Sequence, residues 1–176
     1  MEALIRTASP ADVERLSAFM RSSFLAAYHD SSEPANVSAH VEKSYRVDRQ
    51  AAEIADPAMR TIVMELGAAF IGYAQLRIDV PVPAELTVGK AIEVARFYLA
   101  PDRKGDGSAQ RLMESVRHTA IGHSAEALWL LVWQQAPRAQ RFYEKSGFRI
   151  VGTRTFLIGD DAQADWLMAC PVGDSG

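Results

Sequence analysis

The sequence has one cysteine, Cys170, among 176 residues. That excludes an internal disulfide and a thiolate cluster for a metal. A lone thiol in a terminal apolar segment, with no His or Asp pattern to activate it, reads as packing rather than as an acyl acceptor. Long apolar runs are also missing. None approaches the ~20 residues that a membrane helix needs, and the opening Met-Glu-Ala-Leu-Ile-Arg lacks the basic region and apolar core of a signal peptide. An excess of positive charge is absent too. Nineteen Lys and Arg stand against 22 Asp and Glu, for a net charge of −3. Nucleic-acid binding by counterion release needs a basic face, and none is visible. The balance suits a cationic substrate slightly better. The four histidines, His29, His40, His118 and His123, have no metal-ligand spacing and read as surface residues, so no metal is expected. The expectation is a cytoplasmic enzyme with neither a membrane nor a nucleic-acid partner.

What remains is the composition of an ordinary globular protein, 48% hydrophobic and 23% charged. The length fits one domain over residues 1–176, large enough to bury about 70% of its unfolded surface. Residues 4–7 read as a strand. Ser9-Pro10-Ala11-Asp12 is a helix start, and Val13, Leu16, Met20 and Phe24 mark one face of a helix to Tyr28. Residues 29–36 read as a loop. A helical region with Val37, Val41 and Tyr45 on one face follows, broken near 47–48 and resuming towards Ile54. Residues 60–64 and 69–77 form a hairpin turned near Gly67, 92–99 a strand, and 127–133 a fully apolar, buried strand. Residues 137–146 are a short helix closed by Gly147. Strands over 148–158 and 165–170 flank a polar turn, 159–163. The three tryptophans, Trp129, Trp133 and Trp166, fall in strand patterns and read as core or sheet-face residues.

The most telling stretch runs from Ala95 to Leu112. A strand stops at Pro101, a loop with Gly105, Gly107, Ser108 and Ala109 follows, and a helix opens with Leu112, Met113, Val116 and Ala120 on one face. A glycine loop feeding a helix N-terminus presents unpaired N–H groups at the positive end of the helix dipole, a geometry that binds phosphate. A second motif follows: Ala139-Gln-Arg-Phe142-Tyr143-Glu-Lys145-Ser-Gly147-Phe148.

Together these resemble the two signatures of the GNAT-superfamily acyl-CoA N-acyltransferases, in order and in spacing. The segment from Phe156 to Asp165 is similar to the bacterial branch that acetylates spermidine and spermine. The resemblance implies an α/β fold of GNAT type: a mixed, mostly antiparallel central sheet splayed between its fourth and fifth strands, with helices on both faces. Acetyl-CoA would lie in the splay as cosubstrate. Backbone groups of Phe97, Tyr98 and Leu99 would pair with its pantetheine arm, and the loop from Lys104 through Gly105, Asp106, Gly107, Ser108 and Ala109 to Gln110 would hold its pyrophosphate. Three positions depart from the family pattern. Lys104 replaces a Gln or Arg, Asp106 places a negative charge in a loop for a polyanion, and Ala136 stands where an asparagine is expected.

Acylation requires a neutral amine. A primary amine of pKa ~10.4 is only about 0.1% neutral near pH 7.4, a cost of about 4 kcal/mol, so a carboxylate that takes the proton helps. Glu93, on the strand beside the cofactor, is the candidate base, against an alternative as an exposed strand residue. The departing thiolate needs a proton, and the Tyr143 phenol matches the family's general acid, against an alternative as an aromatic clamp. Tyr28, His29 and Asp30 end the first helix where an acceptor would border. Asp160 and Asp161 form an acidic turn that would attract a distal ammonium or simply be solvated. The implied activity is direct acetyl transfer to a primary amine, with a polyamine as leading acceptor. The alternatives are a protein N-terminus or lysine, and a non-catalytic acyl-CoA-binding module. A homodimer covering a sheet edge is a further expectation from the fold.

Overall fold

A computed structural model describes residues 2–28 and 33–173. Seven strands form one sheet: β1 (Leu4–Thr7), β2 (Met59–Leu66), β3 (Ala69–Arg77), β4 (Ala91–Leu99), β5 (Ala127–Trp133), β6 (Arg149–Ile158) and β7 (Asp161–Pro171). Their order is β1-β2-β3-β4-β5-β7-β6. All neighbours are antiparallel except β4 and β5, which run parallel. Among the described residues five α-helices cover the sheet: α1 (Val13–Tyr28), α2 (Pro34–Ser44), α3 (Val47–Ala55), α4 (Ser108–Gly122) and α5 (Pro137–Lys145).

Alternation along the strands divides the buried residues between the two faces. Ile62, Met64, Leu76, Ile92 and Leu128 pack beneath α4 with its Leu112, Met113 and Val116, and Tyr143 and Phe148 join the same core. Val63, Phe70, Tyr73 and Ile158 point the other way, onto Leu16, Met20 and Phe24 of α1 and Val37 and Val41 of α2. Cys170 is a buried, free thiol in the first of these cores, as its apolar surroundings in the sequence imply.

The β4–β5 pairing is short. It joins Ala91 to Ala127, Ile92 to Leu128 and Glu93 to Trp129, and then stops. β4 continues to pair with β3 as far as Leu99, so its second half has a strand on one side only. The register of β3 and β4 slips between Gln75 and Leu76, which leaves Ala95 as an extra residue on β4 and bends that strand away from β5.

Four local expectations differ from the structure. Residues 34–36 are helical, because Pro34 opens α2. The break before α3 falls at Tyr45 and Arg46 rather than at 47–48. The last carbonyls of α2 are taken by side chains there: Gln50 Nε2 donates to the Ser44 carbonyl at 3.0 Å, and Ser17 Oγ donates to that of Tyr45. The expected five-residue turn 159–163 is only two residues long, because Ile158 already pairs with Asp161. Gly159, at φ +61°, permits that tight reversal. Residues 127–133 are not uniformly buried: Trp129, Leu131 and Trp133 are half-buried on one face.

Candidate active site

The splay opens into a cavity of about 420 Å³ that reaches both faces of the sheet. On the α4–α5 side it meets Phe97, Ala136, Ala139 and Tyr143, and on the α1–α2 side Phe24, Tyr28, His40 and Trp133. Three carboxylate and guanidinium partners from the sheet, Arg77, Glu93 and Arg96, line it between them, and Asp165 reaches it from β7.

The glycine turn is open. Its residues 104–107 are exposed, and Gly105 and Gly107 adopt left-handed backbone at φ +87° and +86°. A Cβ added to either would meet no atom within 4 Å, so a diphosphate can approach the backbone directly. Among the described residues, the amides of Gly105, Gly107, Ala109 and Gln110 donate to no acceptor. The Ser108 amide differs: it donates to Asp106 Oδ1 at 2.9 Å. That bond holds the Asp106 carboxyl below the usual carboxylate range. Asp106 therefore takes up the first amide of α4 in a local side-chain turn, within the same loop that offers amides to an anion. The unpaired edge of β4 over 94–99 and this turn fit an extended acyl arm that ends in a diphosphate.

Tyr143 sits in an aromatic box. Its ring lies 6.2 Å from Phe97, 5.3 Å from Phe142 and 5.7 Å from Phe148, in tilted or edge contacts. Burial raises its phenol above the ordinary range, with a smaller contribution from Tyr28. The hydroxyl thus holds its proton at neutral pH. At Ala136, Gln140 ties down the turn before α5, donating to the carbonyls of Trp133 at 3.0 Å and Gln134 at 2.8 Å.

Glu93 is buried and lines the cavity, and its Oε2 accepts from Arg77 Nη1 at 2.9 Å. The sequence reading had no role for Asp165. It is 5% exposed, its Oδ1 has no hydrogen-bond partner, and burial pushes its carboxyl up to about 6. Trp133 and Asp165 are register partners across β5 and β7, so both face the α1–α2 side. Tyr28 lines the same wall, with its ring 6.3 Å from Trp133 and 4.4 Å from Phe24. Burial first, and then the charge of Asp165, raises the Tyr28 phenol. Of the other expected border residues, His29 and Asp30 lie outside the described residues. Asp160 and Asp161 are not among the residues lining the cavity. His40 is a correction: it is no surface residue but stacks on Phe24 at 4.6 Å in the cavity wall. A signal for Asp165 existed in the alternation of β7, where Gln163 and Asp165 occupy buried positions along an otherwise apolar face.

A family model described as the acetyltransferase (GNAT) family matches residues 21–148. The chain belongs to this family. An uncharacterized N-acetyltransferase of Mycobacterium tuberculosis is 33% identical over 158 residues, which span 89% of this chain and 96% of that protein. An uncharacterized N-acetyltransferase of Lactobacillus delbrueckii subsp. lactis is 26% identical over 160 residues, spanning 91% and 92% of the two. Among solved structures, the PaiA N-acetyltransferase of Thermoplasma acidophilum, crystallised with coenzyme A, superposes with a TM-score of 0.78 at 19% identity, covering 97% of this chain and 99% of that one. The fold is the GNAT fold foreseen from the two motifs, and this GNAT protein is an acetyl-CoA-dependent N-acetyltransferase. No helix among the described residues is long and apolar enough to cross a membrane.

Proposed function

We propose that the protein transfers an acetyl group to the primary amine of a small molecule. One observation carries this reading: a single cavity joins Tyr143 on one face of the sheet to Asp165 and Tyr28 on the other, through the gap between β4 and β5. About 420 Å³, walled by α1 and α2, has room for an acyl arm and a small amine.

Acetyl-CoA supplies a thioester whose carbonyl carbon takes the amine nitrogen as the carbon–sulfur bond breaks. The turn 104–110 binds its diphosphate through backbone amides, with Lys104 beside it as a cation. The backbone of Phe97, Tyr98 and Leu99 aligns the arm as an added strand. Tyr143 gives its hydroxyl proton to the departing sulfur. A carboxylate in the cavity collects the surplus proton of the amine. Glu93 is one such group, although its Oε2 already holds Arg77; Asp165 is the other, with an unpartnered oxygen.

The test is thiol release from acetyl-CoA with a panel of small primary amines, polyamines among them, and a parallel panel of peptides. Turnover of small amines is expected. Turnover confined to peptides would transfer the activity to a protein N-terminus or lysine.

A further inference from the structure

The acceptor side of the cavity has two electrically different ends, a feature that acetyl transfer alone does not require. At one end stands Asp165, buried and with Oδ1 unpartnered. At the other, Arg49 and Arg96 share a single carboxylate. Glu53 accepts from Arg49 Nε at 3.0 Å and from Arg96 Nη1 at 2.7 Å. The third arginine of the wall, Arg77, is matched by Glu93 at 2.9 Å. Among the described residues, one guanidinium charge is therefore left over at the α3 end. Arg96 is nearly buried, with its guanidinium 5.0 Å from the Tyr45 ring. Arg49 is half-exposed, and its two terminal nitrogens donate to no group among the described residues. The neighbouring His40 registers the positive field: burial, and then Arg96, Lys43 and Arg49, hold its imidazole below the ordinary value. Tyr28 registers the negative field of Asp165.

We propose that the acceptor is a small zwitterion, its ammonium docked on Asp165 beside the rings of Tyr28 and Trp133, and its carboxylate or similar anion on Arg49 and Arg96. This rests on the small-amine acetyltransferase reading above. An unpartnered buried carboxylate oxygen is costly, and an ammonium donor relieves it. The nearby rings of Tyr28 and Trp133 add cation–π attraction. At the far end, an anion supplies the charge that Glu53 cannot provide to both arginines. A polyamine would instead set a second ammonium against Arg49. β5 lies between β4 and β7, so the two ends are at least the ~10 Å of two strand spacings apart, and more where the splay parts β4 from β5. With both side chains reaching inward, a chain of about four to six atoms spans the remainder.

Three four-carbon acceptors of matched length separate the possibilities: γ-aminobutyrate, n-butylamine and putrescine, with their five- and six-carbon counterparts. Thiol release by the full chain is expected to give the amino acid a kcat/KM at least tenfold above the monoamine, with the diamine lowest. Arg49→Gln is expected to bring the ratio of amino acid to monoamine close to one, through a raised KM for the amino acid, with Arg49→Lys restoring part of it. A folding defect would depress all three acceptors together and leave the ratio unchanged, and coenzyme A binding by calorimetry reads folding separately. Equal or better turnover of the diamine, or a ratio untouched by Arg49→Gln, overturns the zwitterion while small-amine acetylation stands. If no small amine of any class turns over, both readings fall.

Discussion

Asp165 stands directly opposite Trp133 in the β5–β7 ladder, so a carboxylate and an indole share one wall of the cavity. Burial pushes that carboxyl up to about 6 from an ordinary 3.8. The folded protein thus binds this proton more tightly than the unfolded chain does. The resulting stabilisation is complete below pH ~4 and is lost as the pH climbs through 6. Asp165→Asn removes the penalty for burying the charge. In urea titrations the variant is expected to match the parent at pH 4 and exceed it at pH 8, by up to about 3 kcal/mol.

The same ionisation governs docking of an ammonium. The KM of the parent for its amine should fall as the pH rises through about 6, and this limb should vanish in Asp165→Asn. The amine itself ionises far above that range. Other ionisable groups of the wall are the tyrosines Tyr28, Tyr45, Tyr98 and Tyr143, His40, Glu93 and the arginines; of these, the imidazole is the one whose ordinary range lies close by. Steady-state profiles of His40→Gln should therefore keep the limb. A profile that loses it there, and not in Asp165→Asn, would assign the titration to the imidazole.

Tyr143→Phe isolates the proton donor. The box of Phe97, Phe142 and Phe148 holds the ring through apolar contacts, and loss of the hydroxyl leaves those contacts in place. Turnover is expected to drop at least tenfold, within the ~10²–10⁴ typical of general acid–base groups. The affinity for coenzyme A, measured by calorimetry, should stay within about twofold, since Tyr143 contributes no backbone amide to the diphosphate turn. Unchanged turnover would reduce the phenol to packing.

The half of the site that was legible from residue order is the half built from local geometry. Gly105, Gly107 and the start of α4 are consecutive, so spacing points to the anion turn, and the residues around Tyr143 are consecutive too, so the resemblance to the family could be read there. The acceptor half is assembled from distant segments. Arg49 on α3, Arg96 on β4 and Asp165 on β7 line one cavity only because β7 inserts beside β5 and α3 packs on β2 at the same face of the sheet. Glu93 was visible because it precedes the glycine loop on its own strand, yet its bond to Arg77 depends on the β3–β4 register, which a bulge shifts by one residue. Likewise, the turn after β6 looked longer because Asp161, Ala162 and Gln163 are weak strand formers, and pairing with β6 overrides that preference.

Asp106 sets a limit on the affinity for the cofactor. Its carboxylate accepts from the Ser108 amide at 2.9 Å and so adds a negative charge to a turn meant for a diphosphate. Asp106→Asn keeps an oxygen for that bond and removes the charge. Coenzyme A should bind about two- to fivefold more tightly to the variant, equivalent to less than about 1 kcal/mol. The gain should shrink as salt is raised from 0.05 to about 0.5 M, because screening weakens the repulsion at an exposed site. A loss of affinity on this substitution would mean that the carboxylate serves the cofactor.

Gly72 shows how closely β3 and β4 approach beside the splay. It pairs with Leu99, and a Cβ there would come within 2.5 Å of Leu99 Cδ2 and 3.2 Å of the Tyr98 carbonyl oxygen. The leucine can rotate, but the backbone oxygen cannot yield without moving the end of β4. Gly72→Ala is therefore expected to cost about 1–3 kcal/mol in urea titrations. Because Tyr98 and Leu99 belong to the edge proposed to align the acyl arm, the KM for acetyl-CoA should rise as well. A variant as stable as the parent, with an unaltered KM, would mean that this end of β4 is free to shift without consequence for the cofactor.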